Sequence, residues 1–199
     1  MTISRRTAAA AWLAGAALLY GCAGTVKHMQ EVPGNPALKP DPGKALVVFM
    51  RPSGMGFAIQ SSVFEVVGEN PVLVGIVAAK TKVAYQTSPG KHLFMVVGES
   101  ADFMSADLEA GKAYYALVTP RMGVWKARFS LKPVAREELS SGDFTGWVSG
   151  TRLVENTPAS NAWAESNMED LRSKRASYYA EWMGRPEADR PRLAASDGM

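Results

Sequence analysis

The sequence predicts a mainly β protein, in which an antiparallel β-sandwich of seven or eight strands carries a long C-terminal α-helix packed on it. Three observations predict it. Short apolar runs separated by turn residues occupy residues 44–133, several of these runs alternate apolar and polar positions, and a stretch after residue 157 has helical spacing. About 155 residues follow the N-terminal region, which is enough for one domain with its own core.

The first 21 residues predict a bacterial export signal. Arg5 and Arg6 supply a positive start, residues 8–20 are uninterruptedly apolar, and Leu19-Tyr20-Gly21 precedes a cysteine. The apolar run is shorter than the ~20 residues that a helix needs to span a bilayer. The ending is similar to a bacterial lipobox, although Tyr20 stands where that motif usually has a small residue.

Cys22 is the one cysteine in 199 residues, so no disulfide can form within the chain. A lone cysteine is often a buried thiol, but this one falls directly after an export signal. We therefore predict that the chain is cut before Cys22 and that Cys22 is the lipid-attachment residue. Each buried methylene contributes ~0.8 kcal/mol, so two or three acyl chains give durable anchoring.

Residues 22–43 predict a lipidated, proline-rich tether. Pro33, Pro36, Pro40 and Pro42 interrupt the segment and almost no apolar periodicity is present. Such a segment would lift the domain off the membrane.

Residues 44–133 predict the sandwich. The first run, residues 44–51, is nearly all apolar, as expected for a central strand covered on both faces. Ser88-Pro89-Gly90 predicts a tight hairpin turn, because proline presets φ and glycine accepts a positive φ. The predicted strands are residues 44–51, 61–67, 72–78, 81–87, 91–97, 104–110, 113–119 and 125–132.

The strands at 104–110 and 125–132 show the clearest alternation. Met104 and Leu108 share a face opposite Asp107 and Glu109, and Phe129 and Leu131 oppose a row of basic residues. One face of each strand is therefore predicted to meet the core.

The character of the chain changes after Pro133. Residues 134–157 predict an irregular connection with at most one short helix. Residues 158–184 predict a long helix, capped by Thr157 and ended by Gly184, with a narrow apolar stripe that suits packing on the sandwich. Residues 185–199 predict a polar, frayed tail.

Charge and composition exclude several functions. Without residues 1–21, 20 of the 22 basic residues remain against 19 acidic ones, so the mature chain is nearly neutral and no nucleic-acid partner is predicted. Neither His28 nor His92 has a second ligand at metal-binding spacing, and Gly54-Met55-Gly56 lacks the lysine of a phosphate-binding loop. No metal, cofactor or catalytic residue is predicted.

The remaining polar and aromatic candidates have structural interpretations. His28 and His92 are expected to be solvated, and Asp107 and Glu109 to face water from a strand rather than act with Asp102 as an acid/base pair. Tyr114 and Tyr115 point to opposite faces, one in the core and one on the surface. A basic row could attract anionic lipid or glycan, and the helix aromatics could dock a partner or a membrane interface, but a solvated face and packing on the sheet are favoured. The basic row is Arg121, Lys126, Arg128 and Lys132, and the aromatics are Trp163, Tyr178, Tyr179 and Trp182.

Three short segments resemble a family of bacterial lipoproteins of unknown function, whose small β-sandwich is akin to PEGA and carboxypeptidase-regulatory-like domains. They are Gly43-Lys44-Ala45 continuing to Arg51-Pro52-Ser53, then Pro89-Gly90-Lys91-His92, then residues 108–112 with Tyr114-Tyr115. The resemblance covers residues 43 to about 120 and departs from the family at residues 53–57 and in the helix after Pro158. It implies a location and a fold but no chemistry. Ala23 is not the aspartate that retains many lipoproteins at the inner membrane, so in a Gram-negative cell the resemblance implies the outer membrane, and we expect the domain to face the periplasm.

Three functional hypotheses follow, and the last of them is a secreted protein with no lipid, which intact-mass analysis of the purified protein would decide. The first is a non-enzymatic envelope lipoprotein, anchored to the membrane through Cys22, whose sandwich binds or scaffolds an envelope protein or glycan. The alternative is an envelope hydrolase or accessory enzyme acting on peptidoglycan or lipid. A deep polar pocket in which His92 converges with carboxylates would favour the enzyme, and a filled core with shallow grooves would favour the scaffold.

Overall fold

A computed structural model describes residues 26–121 and 128–199, and shows a mainly β fold of two sheets flanked by helices. The export signal and Cys22 lie outside the described residues, as does Lys126 of the basic row.

The strands are β1 (Met29–Glu31), β2 (Ala45–Arg51), β3 (Ser61–Val67), β4 (Asn70–Val77), β5 (Thr81–Thr87), β6 (Gly90–Val97), β7 (Ala101–Leu108), β8 (Ala113–Arg121), β9 (Arg128–Pro133), β10 (Arg152–Asn156) and β11 (Arg192–Leu193). The helices are α1 (Gly142–Ser149), α2 (Pro158–Ser166) and α3 (Met168–Met183), with short 3₁₀ turns at Arg136–Ser140, Glu187–Asp189 and Ala195–Asp197.

The eight strands predicted between residues 44 and 132 correspond to β2–β9, although residues 125–127 of the last one lie outside the described residues. The described residues form eleven strands, and the sheets are mixed rather than antiparallel. The first sheet has the order β1-β10-β5-β2-β8-β9 and the second β11-β7-β6-β3-β4. Three pairs are parallel, namely β2 with β8, β5 with β10, and β7 with β11. Parallel neighbours need a crossover connection. Helix α1 lies in the connection that precedes β10, and α2 with α3 lie in the one that precedes β11.

The segment predicted as a tether is part of the fold from residue 26 onward. Strand β1 pairs with β10, where Met29 lies opposite Asn156. The Asn35 side chain then donates to the Thr151 carbonyl and accepts from the Leu153 amide, and Leu38 packs on the outer face of the first sheet. Backbone groups of a distant strand therefore hold residues that composition alone marks as extended.

The main core fills the space between the two sheets. Strand β2 lies in the middle of the first sheet, and all of its residues are buried, as its continuous apolar run predicts. Phe49 of the first sheet and Phe94 of the second meet edge to face, with ring centroids 5.1 Å apart. At the edge of the sandwich the two sheets pack closely across Gly75, where an added Cβ would lie 2.8 Å from Cγ1 of Val83.

Two further apolar layers cover the outer faces of the sheets. Helix α1, the Arg136–Ser140 turn and Leu38 cover the first sheet, while α2 and α3 cover the second. The aromatics of the C-terminal helices pack here: Phe103 of β7 contacts the rings of Tyr179 and Trp182. The segment predicted as one C-terminal helix therefore packs on the second sheet, as expected, through helices α2 and α3.

The C-terminal part differs from the predicted irregular connection, single helix and frayed tail. Residues 134–157 contain helix α1 and strand β10. The long helix is interrupted at Asn167, whose side-chain amide donates to the Trp163 carbonyl at 2.7 Å. The tail continues into β11, and Leu193 is fully buried against β7.

Candidate functional site

A buried ionic cluster of three side chains lies at one end of the inter-sheet space. Glu65 of β3 accepts a hydrogen bond from the Tyr85 hydroxyl of β5 at 2.5 Å and contacts Nδ1 of His92 of β6. Nε2 of His92 lies 2.9 Å from the Ser88 carbonyl. Glu65 therefore joins the two sheets, since β5 belongs to the first sheet and β3 and β6 to the second. We call these three residues the Glu65 cluster.

The protonation state of the cluster follows from its partners. Both ring nitrogens of His92 face oxygen atoms, so when the Glu65 carboxylate is ionised both nitrogens carry protons. The hydrogen bond to Glu65 raises the pKa of His92 above its ordinary value, despite burial, which acts in the opposite direction. Burial alone would raise the pKa of Glu65, but the hydrogen bonds from His92 and Tyr85 outweigh it and the net pKa is lowered. Burial and the Glu65 carboxylate raise the pKa of Tyr85.

This arrangement determines what His92 can do. A general base needs a free ring nitrogen within reach of the proton that it takes. Both nitrogens of His92 are occupied, and its side chain is only 9% exposed. The expectation that His92 is solvated is therefore wrong. The geometry makes it a charged link between Glu65 and the turn before β6.

Glu65 was missed as a functional candidate, although the sequence carried a signal for it. It is an acidic residue inside the apolar run Val63-Phe64-Glu65-Val66-Val67. A charge that is buried in a strand needs a partner. Sequence position could not supply the identity of that partner, because Tyr85 and His92 lie 20 and 27 residues away.

The carboxylates weighed as an acid/base pair do not converge. Asp102 is buried and lies within 3.3 Å of Arg121 and 3.1 Å of Arg185. Asp107 meets Lys91 at 3.4 Å, and Glu109 meets Lys112 at 2.6 Å. Each carboxylate therefore has a basic partner of its own.

The other candidates have structural surroundings as well. His28 is half-buried in the turn before β1, and its carbonyl accepts from the Thr157 hydroxyl at 2.7 Å. Tyr114 is fully buried, as predicted for one of the two tyrosines, but Tyr115 is not on the open surface, because its ring packs edge to face on Phe144 of α1. Within residues 26–121 and 128–199, no group of three or more potential ligands could hold a metal ion.

The basic row is divided among different partners. Arg121 pairs with Asp102, and Lys132 pairs with Glu138 at 3.2 Å. Arg128 lies directly opposite Arg121 across the β8–β9 pair. The row is therefore not one continuous anion-binding surface among the residues that the structure describes.

A second candidate site lies on the outer face of the first sheet. It is a groove of about 380 Å³ between that sheet, helix α1 and residues 35–38, and we call it the Lys82 groove. Its walls are mainly apolar, with Leu38, Val48, Met50, Tyr115, Phe144 and Val148. The charged group at the groove is Lys82 of β5, which is 2% exposed.

The Lys82 ammonium has carbonyl partners. Nζ donates to the Val148 carbonyl in the last turn of α1 at 2.7 Å, and to the Thr151 carbonyl between α1 and β10 at 2.9 Å. Burial lowers the pKa of Lys82 below its ordinary value. The sequence did not single out Lys82, because a lysine next to Thr81 at the start of a strand looks like an ordinary surface residue.

A third feature is an exposed apolar loop held from below by a buried arginine. The Arg51 guanidinium is fully buried and donates to the carbonyls of Ile59, Met55 and Gly56 at 2.6, 2.7 and 2.9 Å. Met55 and Phe57 in that loop are 62% and 63% exposed. The glycine- and methionine-rich stretch at residues 53–57 is therefore an apolar surface whose backbone carbonyls are held by Arg51.

The comparisons with protein-family models and with curated proteins identify no family for this chain. No protein-family model matches it, and no curated protein matches it significantly. Among the described residues, no helix is both long and apolar enough to cross a membrane.

Proposed function

We propose that the protein is a non-enzymatic envelope lipoprotein, held on the outer membrane by lipid on Cys22 and facing the periplasm, whose folded domain binds or scaffolds another envelope component. The main support for the lipid anchor is the position of the single cysteine in the sequence. It stands directly after two arginines and an apolar run of signal-peptide length. The resemblance of residues 43 to about 120 to a lipoprotein family supports the same location.

The arrangement of the polar groups supports binding over catalysis. His92 has no free ring nitrogen, and each of the carboxylates Asp102, Asp107 and Glu109 is paired with a basic side chain. The Lys82 groove and the apolar loop at Met55 offer surfaces that a ligand or partner could cover. An envelope hydrolase acting on peptidoglycan or lipid is the alternative, but it would need a base other than His92.

The Cys22→Ser variant tests the anchor. We expect the wild-type protein to sediment with membranes and to have the mass of a chain beginning at Cys22 plus its acyl groups. The variant should accumulate as an uncut precursor, because the modified cysteine is what the processing step recognises. Intact-mass analysis and membrane fractionation measure both outcomes.

A second variant serves as the matched control. Tyr20→Ala places a small residue at the lipobox position where this chain departs from the motif, so processing and membrane association should persist. If Cys22→Ser is processed and membrane-bound as well as the wild type, the anchor proposal fails.

A further inference from the structure

We propose that the Lys82 groove is a binding site for a single-chain amphiphile with an anionic headgroup, such as a fatty acid or a monoalkyl phosphate. The alkyl chain would lie along the apolar walls, and the headgroup would meet the Lys82 ammonium. This inference rests on the binding role proposed above and names the class of ligand.

The charge of Lys82 is the first step of the argument. Lysine is almost never fully buried unless it is paired, and a buried charge without a counter-ion carries a large desolvation cost. Lys82 is 2% exposed, and none of the ion pairs among residues 26–121 and 128–199 includes it. The described part of the chain therefore leaves a positive charge at the groove without an anionic partner.

The hydrogen bonds of Lys82 leave room for a ligand. An ammonium has three N–H donors, and two of them reach the Val148 and Thr151 carbonyls. The bond to Val148 caps the end of α1, where the helix dipole favours a cation, and the bond to Thr151 joins Lys82 to the segment that follows the helix. They fix the position of Nζ but supply no negative charge, so an anionic headgroup that reaches Nζ from the groove would be its first counter-ion among the described residues.

The walls of the groove define the other half of the ligand. Leu38, Val48, Met50, Phe144 and Val148 present hydrocarbon, and Tyr115 presents its ring. Each methylene of a ligand that is buried against such walls strengthens binding by about fourfold. A small, strongly hydrated anion would gain nothing from these walls, whereas an alkyl chain would.

The size of the groove limits the ligand to one chain. Its volume of about 380 Å³ is near the lower end of the range of about 300–1,000 Å³ for small-molecule sites. A two-chain phospholipid would have to leave much of its hydrocarbon outside. The groove also opens to solvent beside Thr145 and Ser149 of α1, which gives a polar rim and a path of entry.

Calorimetric titration with three ten-carbon probes tests the inference. The protein is the chain from residue 22 with Cys22→Ser, which keeps every described element and carries no lipid of its own. Decanoate and decyl phosphate should bind at least about tenfold more tightly than decanol, because a hydrogen bond to a charged group contributes ~1.5–3 kcal/mol. Whichever of the two anions binds more tightly identifies the headgroup.

Two groove variants and one matched control locate the site. Lys82→Met keeps the length of the side chain without its charge, and should reduce decanoate affinity to that of decanol. Thr145→Trp fills the mouth of the groove from an exposed helical position, and should abolish binding of all three probes. Lys44→Met removes an exposed lysine elsewhere and should leave every affinity unchanged. Circular dichroism shows whether each variant is folded.

The affinities of the wild-type protein for the three probes are enough to contradict the inference, so the test does not depend on whether the variants fold. Equal affinity for decanoate and decanol, or no binding of either anion, contradicts it. Anion binding that Thr145→Trp leaves intact contradicts it as well. The titrations are independent of the membrane fractionation of Cys22→Ser. Failure of the ligand proposal and failure of the anchor proposal are therefore seen in different experiments.

Discussion

At the scale of single residues, Glu65 joins the two sheets through one carboxylate. One of its oxygens accepts from Tyr85 of the first sheet, and the other contacts His92 of the second. Hydrogen bonds to a charged group contribute more than those between neutral groups. The Glu65 cluster therefore links the two sheets by charged hydrogen bonds at one end of an otherwise apolar inter-sheet interface.

The Glu65 cluster should make stability depend on pH. The pKa of Glu65 is lowered from 4.5, so its contribution is present above pH 4.5 and is lost as pH falls through the folded-state value. The pKa of His92 is raised from 6.5, so its contribution is complete below pH 6.5 and is lost as pH rises through the folded-state value. The cluster therefore contributes most between about pH 4.5 and 6.5.

We predict that Glu65→Gln lowers the free energy of unfolding by about 1–3 kcal/mol at pH 5.5, and by less at pH 9. Glutamine can still accept from Tyr85 but carries no charge to hold the imidazolium. Urea unfolding at the two pH values measures the difference. Glu69→Gln, at an exposed turn, is the control and should show no such dependence. An equal loss at both pH values for Glu65→Gln would contradict the proton assignment.

At the scale of elements, Gly75 sets how closely β4 approaches the first sheet. An added Cβ would lie 2.8 Å from Cγ1 and 3.2 Å from Cβ of Val83, and 3.3 Å from Cε of Met29. Val83 is buried in the main core and cannot move freely. The edge strand β4 and the edge strand β1 meet at this glycine.

Gly75→Ala should therefore destabilise the protein by about 1–3 kcal/mol through overpacking. Gly146→Ala is the matched control, because no atom lies within 4 Å of its added Cβ and the residue is inside α1. Alanine there should stabilise by about 0.5–1 kcal/mol. Thermal unfolding of both variants measures the two opposite shifts. A neutral Gly75→Ala would show that the sheets can separate at this edge.

The same scale shows which parts of the fold the sequence can predict. Strands β2–β9 carry their own signal, because each buries apolar residues such as Phe49 or Leu131 at regular positions. Strands β1, β10 and β11 are short and rich in polar residues, and they exist through pairing with distant partners, as Met29 does with Asn156. The break at Asn167 was also missed, since an asparagine inside a helical pattern gives no clear stop.

The candidate sites were harder to predict than the strands. Lys82 and the apolar walls around it come from β2, β5, β8, α1 and the segment before β2. A groove assembled from such distant segments leaves no local motif. The position of Glu65 in an apolar run was readable, but its two partners depend on how the sheets face each other.

At the scale of the whole molecule, the last residues close the sandwich. Leu193 of β11 enters the main core beside β7, while the Met199 amide and carbonyl pair with Ala113 of β8. The Tyr114 hydroxyl and Lys112 ammonium both donate to the Ala195 carbonyl. One terminal segment thus contacts a strand of each sheet.

Leu193→Ala should consequently destabilise the protein by about 2–5 kcal/mol, because it opens a cavity in the main core. Arg192→Ala changes the neighbouring exposed residue, whose contact with Asp107 spans 3.7 Å, and should cost less than about 0.5 kcal/mol. Chemical denaturation of both variants checks the contrast. Similar small effects would mean that the segment lies on the core without filling it.

If Cys22 carries lipid, as proposed above, the packing of Val26 against the main core limits how far the folded domain can lie from the bilayer. Three residues separate Cys22 from Val26, where the described fold begins, and four fully extended steps span about 14 Å. A lipid on Cys22 would then hold the domain close to the lipid headgroups, because no long flexible linker would separate the two. Its partners would be molecules that come to the membrane surface, and it could not reach across to a distant cell wall.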